Sequence, residues 1–586
     1  MGLKRRNIII IAVVVIVVLI AIALGLGLGL GLAKSKDEKT SDEKPANHEG
    51  PYEHAVVASD SGDCSEVGRD FLRKGGSAVD SAVATMFCIG LRNMHSSGIG
   101  GGGFMLVYEK GKKQAHVIDF REVAPAAATT NMYVNQSEKA INGALAAGVP
   151  GEVKGMYTAW HRFGKLPWKD LIQPAIDLAT NGFKIGKPLH EAIKRKAQLI
   201  KNDPGLSDIL MENGELKSEG DIIKNPELAA TLTKIQQDPH SFYNGSLAKD
   251  IAKDIKDAGG IITEEDLKNY KAGTSKAAIK NELRDLTWYT VPPPSGGAVV
   301  TLILNILKGY NLSPSDRAND SISVLTYHKI VEAFKFAFAR RSQLGDPDFE
   351  NITRLVKNMT SPAYAEALRR LIWNNRTHNF TYYGEETLIG NDGGTSHLSI
   401  LAANGDAVSV TSSVNYLLGA VYRSNRTGII YNNGMDDFGI PGQNNIYGLP
   451  PTPVNFIKPG KRAQSSMSPV IFTNRQGEVV FVAGASGGPR IISSICLVFM
   501  SKMWFNKTLL TSVKEPRLHH QWIPNEINIE TVDPYILRQP IQDGLKALGH
   551  RIVKKSYAVV QAINREVDGR IYGVSDPRKY SWAAGY

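Results

Sequence analysis

An unbroken apolar run from Ile8 to Ala33 follows the opening residues Met1-Gly2-Leu3-Lys4-Arg5-Arg6-Asn7. About 20 apolar residues span a bilayer as a helix, whereas the apolar core of a signal peptide is about 7–15 residues long. The run therefore predicts a retained signal-anchor at 8–33, a tail at 1–7 and a stalk at 34–52 rich in Lys, Asp and Glu. Further on, Ala78, Ala82 and Met86 with Val79 and Val83 repeat at helical spacing and predict a helix from Ser77 to Leu91. A glycine-rich loop (97–103) and a short strand (104–108) come next. Residues 150–290 read as helix-rich, Thr326 to Arg341 as a helix, and 342–394 as a polar, irregular surface region. At 395 the period changes. Ser396–Ala402 and Ala407–Ser413 alternate polar with apolar around Asn404-Gly405, a strong hairpin signal. A two-residue turn places Thr395 opposite Val414, beside Ser413 and Asn415; a three-residue loop shifts the pairing by one. Pro469–Thr473 and Glu478–Val482 read as a second strand pair, and Arg490–Phe505 as a buried helix. Strands and helices intersperse, so the class is mixed α and β.

Charge and cysteine content remove several functions. The net charge of +11, from 68 basic and 57 acidic residues, is spread along the 586-residue chain. It forms no basic stripe with interleaved aromatics, which argues against nucleic acid. Three cysteines exclude a disulfide-dense scaffold and a Cys-rich zinc site. Lysines flank the apolar run on both sides, so the positive-inside rule barely orients it. Asn-x-Ser/Thr sequons orient it better. They fall at Asn135, Asn244, Asn311, Asn319, Asn351, Asn358, Asn375, Asn379, Asn425 and Asn506, all after the run, which favours a lumenal or extracellular body. In that compartment Cys64 and Cys88 can pair. Cys496 sits in an apolar helical stretch and reads as a buried free thiol.

Three motifs carry candidate chemistry. Gly98-x-Gly100-x-x-Gly103 matches a dinucleotide fingerprint, but the fingerprint needs a strand before it and a helix after it. Here the order is reversed, which favours a tight loop. Gly484-x-Ser486-x-Gly488 lies between an apolar strand and a helix, like a nucleophile elbow, with His519, His520 and His550 downstream. The same glycines can instead offer backbone N–H groups to an oxyanion. In Asp392-Gly393-Gly394-Thr395, two glycines expose the peptide bond before a hydroxyl. Attack by Thr395 on the preceding carbonyl, an N-to-O acyl shift and ester hydrolysis would free an N-terminal threonine. Its α-amine, with a pKa of about 8, can act as base for its own hydroxyl.

The stretches Gly75–Asp80, His95–Gly102, Arg121-Glu122-Val123-Ala124-Pro125, Val149–Glu152, Asp392–Thr395, Met435-Asp436-Asp437-Phe438, Ser465-Ser466-Met467 and Ala583–Tyr586 resemble those of γ-glutamyltransferases of the membrane-anchored eukaryotic type, from about residue 53 to the C-terminus. The resemblance implies an α+β, four-layer αββα sandwich of the N-terminal-nucleophile hydrolase type. It implies self-cleavage between Gly394 and Thr395 into a large subunit (53–394) and a small catalytic subunit (395–586) that stay together as a heterodimer. It implies glutathione and its S-conjugates as donors, water or amino acids and dipeptides as acceptors, no metal or organic cofactor, and a Cys64–Cys88 disulfide. Thr395 is then the nucleophile, Ser413 its orienting hydroxyl, and Gly487 and Gly488 the oxyanion hole, which makes Ser486 incidental. Arg121, Ser465 and Ser466 would hold the donor's α-carboxylate, and Asn415 and Asp437 its α-ammonium. One position departs from the family: Gly434 replaces the usual Glu or Gln. Losing a hydrogen bond to a charged group costs about 1.5–3 kcal/mol, roughly tenfold to a hundredfold in affinity. This departure motivates an alternative reading, a non-catalytic paralogue serving as a surface binding protein.

Overall fold

The computed structural model describes residues 49–384, 394–443, 451–555 and 558–586. The expected tail, the signal-anchor and the stalk up to residue 48 lie outside the described residues, as do Asp392 and Gly393. Among the described residues no helix is long and apolar enough to cross a membrane.

The elements that position the site are, in chain order, β1 (Val56–Ser59), α1 (Gly62–Arg73), α2 (Ala78–Arg92), β2 (Gly102–Glu109), β3 (Gln114–Asp119), α3 (Glu152–Phe163), β4 (Ile279–Leu283), β5 (Leu286–Thr290), α4 (Gly297–Lys308), α5 (Asp320–Arg341), β6 (Gly394–Leu401), β7 (Ala407–Asn415), β8 (Val470–Thr473), β9 (Val479–Ser486), α6 (Arg490–Met503), β10 (Val559–Arg565), β11 (Ile571–Val574) and β12 (Ala583–Gly585). One six-stranded sheet has the order β12-β1-β6-β7-β2-β3, and a second β11-β10-β9-β8-β5-β4. Every pairing within both sheets is antiparallel.

Four layers follow from where the apolar side chains go. Leu398, Ile400, Val408 and Val410 pack with α2 and α3 in one core. Phe472, Phe481 and Ala483 pack with α4, α5 and α6 in another. Phe104, Leu106, Ile471, Val482 and Ile563 fill the space between the sheets. The helix over 77–91 forms at Ala78–Arg92, and Ser77 and Asp80 close it with a reciprocal capping box. A disulfide joins Cys64 on α1 to Cys88 on α2, and Cys496 is buried and free.

The structure refines three readings of the sequence. β6 and β7 alternate polar with apolar, and both strands are buried throughout. Their polar face lies against the second sheet, where Ser409 donates to Ala483 O (3.0 Å), Ser399 donates to Gln561 O (3.1 Å), and His397 bonds Thr411 (2.8 Å). Alternation reports two chemically different faces, and a hydrogen-bonded polar face can be buried as well as an apolar one. Of the two loop lengths open to the sequence, the hairpin has the three-residue one. Ala402 N donates to Asp406 O (2.9 Å), and Gly405 takes the left-handed φ of +85° that such a loop requires. Ser396 therefore faces Ser412, and an irregularity at Thr395 brings Gly394 opposite Asn415. Finally, 342–394 contains two short helices, Thr353–Met359 and Pro362–Arg369. The second is set by a Ser361 cap and a proline in its first turn, signals that periodicity does not carry.

Candidate active site

The open end of the β6–β7 hairpin places Gly394, Thr395, Ser413 and Asn415 together. Thr395 Oγ1 lies 3.3 Å from Ser413 Oγ. Ser413 donates to the Gly394 carbonyl, whose C–N bond Thr395 would break, and accepts from Asn415 N at 2.8 Å. A proton thus has a continuous path from the Thr395 hydroxyl through Ser413 to the Gly394 carbonyl oxygen. Only glycine fits at 394, because a Cβ there would lie 2.7 Å from the Tyr416 carbonyl carbon. The glycine run before β2 has the same origin. A Cβ on Gly101 would meet Ser413 O at 2.1 Å, so these glycines let β2 lie against the catalytic strand. They do not cradle a nucleotide.

Thr395 lines a cavity of about 190 Å³ with His95, Ser96, Leu417, Ser486, Gly487 and Lys579. Gly487 and Gly488 turn sharply between β9 and α6, with φ of +125° and +63°. Gly487 therefore shares the Thr395 cavity, and Gly488 follows it in the same turn. Lys579 donates to Thr395 O (3.0 Å) and pairs with Asp60, tying the start of β6 to the end of β1. Burial pushes His95 down to about 3, with Lys579 acting in the same direction, so the imidazole beside Thr395 is neutral.

Ser486 lines this cavity too, but the three downstream histidines are bonded elsewhere. His519 bonds Ser493 (2.8 Å), His550 bonds His328 (2.8 Å), and His520 Nδ1 accepts from Trp522 N (3.0 Å). Ser486 instead accepts from Lys579 at 3.5 Å. Ser486→Ala should therefore retain turnover within a few-fold of the parent in a steady-state assay. Loss comparable to that of a nucleophile would reinstate the elbow reading.

The residues expected to hold the donor's charged end lie on converging loops. Arg121, 2% exposed, pairs with Asp437 and with Glu122 (3.1 Å). Asn415 Nδ2 donates to Asn433 O (2.9 Å), next to the 3-10 turn Gly434–Asp437. Ser465 and Ser466 are fully buried. Ser465 N donates to Pro294 O (2.8 Å), and Ser466 Oγ accepts from Arg341 on α5 (2.9 Å). Their segment is tied to the Arg121 loop by Ala124 N to Lys461 O (2.9 Å) and by the Arg462–Asp119 ion pair (3.2 Å).

Sequence reading missed Lys579, Arg341, His95, Glu122 and Glu152. Glu122 adjoins Arg121, and His95 and Glu152 fall in the stretches His95–Gly102 and Val149–Glu152; Lys579 and Arg341 reach the site through tertiary packing. Glu152 opens α3 and accepts from Ser412, one residue before Ser413. Burial raises its pKa to about 8, against the hydrogen bond from Ser412. A carboxyl held above its unfolded value of 4.5 stabilises the fold least when it must ionise. Stability should therefore fall as pH rises from about 4.5 to 8. Glu152→Gln should flatten that decline in melting temperature; identical pH profiles would refute the shift. A further grouping invisible to sequence spacing, His328, Glu332 and His550, lies buried beneath the second sheet, where Tyr383 donates to Glu332 at 2.6 Å.

A profile of the gamma-glutamyltranspeptidase family matches residues 64–586. The chain is 42% identical to "Glutathione hydrolase 2" of Arabidopsis thaliana over 553 residues, covering 91% of this chain and 94% of that one. It is 43% identical to "Scoloptoxin SSD14" of Scolopendra dehaani over 505 residues, 86% and 87% of the two chains. Among solved structures, cephalosporin acylase from Bacillus halodurans shares the fold, with a TM-score of 0.80 at 23% identity, over 94% of this chain and 99% of that one.

Proposed function

Because the chain belongs to the gamma-glutamyltranspeptidase family, we propose that it is a glutathione hydrolase and γ-glutamyl transferase that matures by cutting itself before Thr395. The observation that carries this reading is the hydroxyl relay from Thr395 through Ser413 to the Gly394 carbonyl. In maturation, Thr395 Oγ attacks the Gly394 carbonyl carbon, the C–N bond breaks, and the hydroxyl proton ends on the freed α-amine. Water then hydrolyses the ester. In turnover, that amine takes the Thr395 proton as the oxygen attacks the donor's γ-carbonyl carbon. The Gly487 and Gly488 amides receive the developing negative charge. The amine of the departing dipeptide takes the proton, leaving a γ-glutamyl ester on Thr395. Water releases glutamate from it, and an amino acid or dipeptide releases a new γ-glutamyl compound. Arg121, Ser465 and Ser466 take the donor's α-carboxylate, and Asn415 and Asp437 its α-ammonium.

The proposed subunits, 53–394 and 395–586, interleave. Strands β1, β2 and β3 of the first share one sheet with β6, β7 and β12 of the second, so cutting the Gly394–Thr395 bond at the start of β6 leaves the pairing beyond it in place. The intact nucleophile, relay and arginine weigh against the non-catalytic reading. The apolar run at 8–33, the disulfide and the sequon asparagines support a single-pass, type II glycoprotein of the plasma membrane with its catalytic body outside. Nine of those ten asparagines are exposed, and Asn358 is half-buried.

The test is N-terminal sequencing of the deglycosylated protein's bands, with a γ-glutamyl anilide assay. A small chain starting Thr395-Ser396-His397 and release of the anilide are expected. One uncut, inactive chain would refute the reading.

A further inference from the structure

Gly434 removes an acceptor that the family places beside the donor's ammonium, and the fold shows what faces the space it leaves. Gly434 opens a 3-10 turn that ends at Asp437, and its N–H donates to Asn432 Oδ1 at 2.8 Å. A Cβ at 434 would lie 3.0 Å from Asn432 Oδ1 and 3.7 Å from both the Cβ and the carboxylate carbon of Glu122, so a side chain there would start beside that carboxylate. Glu122 is 4% exposed. Its Oε2 accepts from Arg121, while among the described residues its Oε1 is buried without a hydrogen-bond partner. Asn415 Oδ1, which the resemblance assigns to the ammonium, is likewise buried and unpartnered. A buried polar oxygen left unpaired is costly, and a ligand ammonium would satisfy two of them at once. Glu122 and Asp437 both pair with the Arg121 guanidinium. Burial, opposed by Arg121, raises the Glu122 pKa, as expected for an acid still short of cationic partners.

Resting on the γ-glutamyl reading, we propose that Glu122 replaces the missing side chain at 434: its Oε1, with Asn415 Oδ1, accepts hydrogen bonds from the donor's α-ammonium. Gly434 then relocates the recognition of a free α-amino group and does not abolish it. It also spares the site two adjacent, desolvated carboxyl groups.

The experiment compares binding of L-glutamate and of glutarate, which lacks the amine, by calorimetry on the full chain, together with turnover of γ-glutamyl and glutaryl anilides. Glu122→Gln should weaken glutamate binding about tenfold to a hundredfold and raise KM for the γ-glutamyl substrate. Glutarate and the glutaryl substrate, which have no ammonium to lose, should be weakened less than glutamate is. Adding Gly434→Glu to Glu122→Gln should recover most of the loss. An equal loss for both ligands, as expected of a residue that only holds Arg121 in place, would overturn the proposal. So would unchanged glutamate binding, or no recovery in the double variant. Should Glu122→Gln fail to fold, Glu122→Asp keeps a charge opposite Arg121 but retracts it by one methylene. It should weaken glutamate about tenfold, and an unchanged affinity would again overturn the role. A parent that binds glutamate in this way but turns over no anilide would sink the catalytic reading and leave the role of Glu122 standing.

Discussion

Thr395→Ala leaves the chain uncut and without γ-glutamyl turnover. Both effects follow from one atom. In the uncut chain, Thr395 Oγ1 is the hydroxyl next to the Gly394 carbonyl carbon, and in the cut chain the same oxygen would carry the acyl group. Alanine removes the oxygen and little else: the position is 3% exposed, and the lost volume opens onto an existing cavity. The fold should therefore persist, and melting temperature checks that it does. A gel of the deglycosylated variant should show one chain near the full 63.8 kDa. Thr395→Ser, which keeps the hydroxyl, should still cut and still turn over. Cleavage of the alanine variant at the same bond would place the nucleophile elsewhere.

Ser413→Ala should slow self-cleavage by about a hundredfold or more, the effect of removing one donor from a developing oxyanion. The Gly394 carbonyl would lose the hydroxyl that polarises it, and the Thr395 proton would lose its route. Turnover by whatever matures should fall less. After cleavage Gly394 is no longer bonded to Thr395, and Ser413 acts only through the Thr395 hydroxyl. A time course of the uncut band, set against kcat of the purified mature form, separates the two. Equal slowing of both would mean that Ser413 merely places Thr395, and an unchanged cleavage rate would remove it from the chemistry.

Glu122 bears on how substitutions in such sites are read. Gly434 in place of an acid looks like a lost ligand when only the motif is compared. In the fold, a neighbouring carboxylate with an unpaired oxygen lies beside the same space. One residue's absence changes what its neighbour can reach, and the motif alone does not record that.

Much of this protein is local enough to be legible in its sequence. The helix at Ala78–Arg92 needs only its periodicity and its Ser77 cap, and the strands around Thr395 need only their alternation and the Asn404-Gly405 turn. The Gly-Gly-Thr cleavage chemistry involves adjacent residues. The resemblance then implied the roles of Arg121, Asn415, Asp437, Ser465 and Ser466, whose segments the fold brings onto converging loops. Tertiary structure decided the rest, because it depends on contacts between residues far apart in the chain. It buried the polar face of the hairpin against a second sheet and withheld the histidines from Ser486. It carried Lys579 back to Thr395 across 184 positions and left one oxygen of Glu122 unpaired beside Gly434. Local propensity follows from the covalent chain, but which polar group is satisfied, and by what, is set only once distant segments exclude water together.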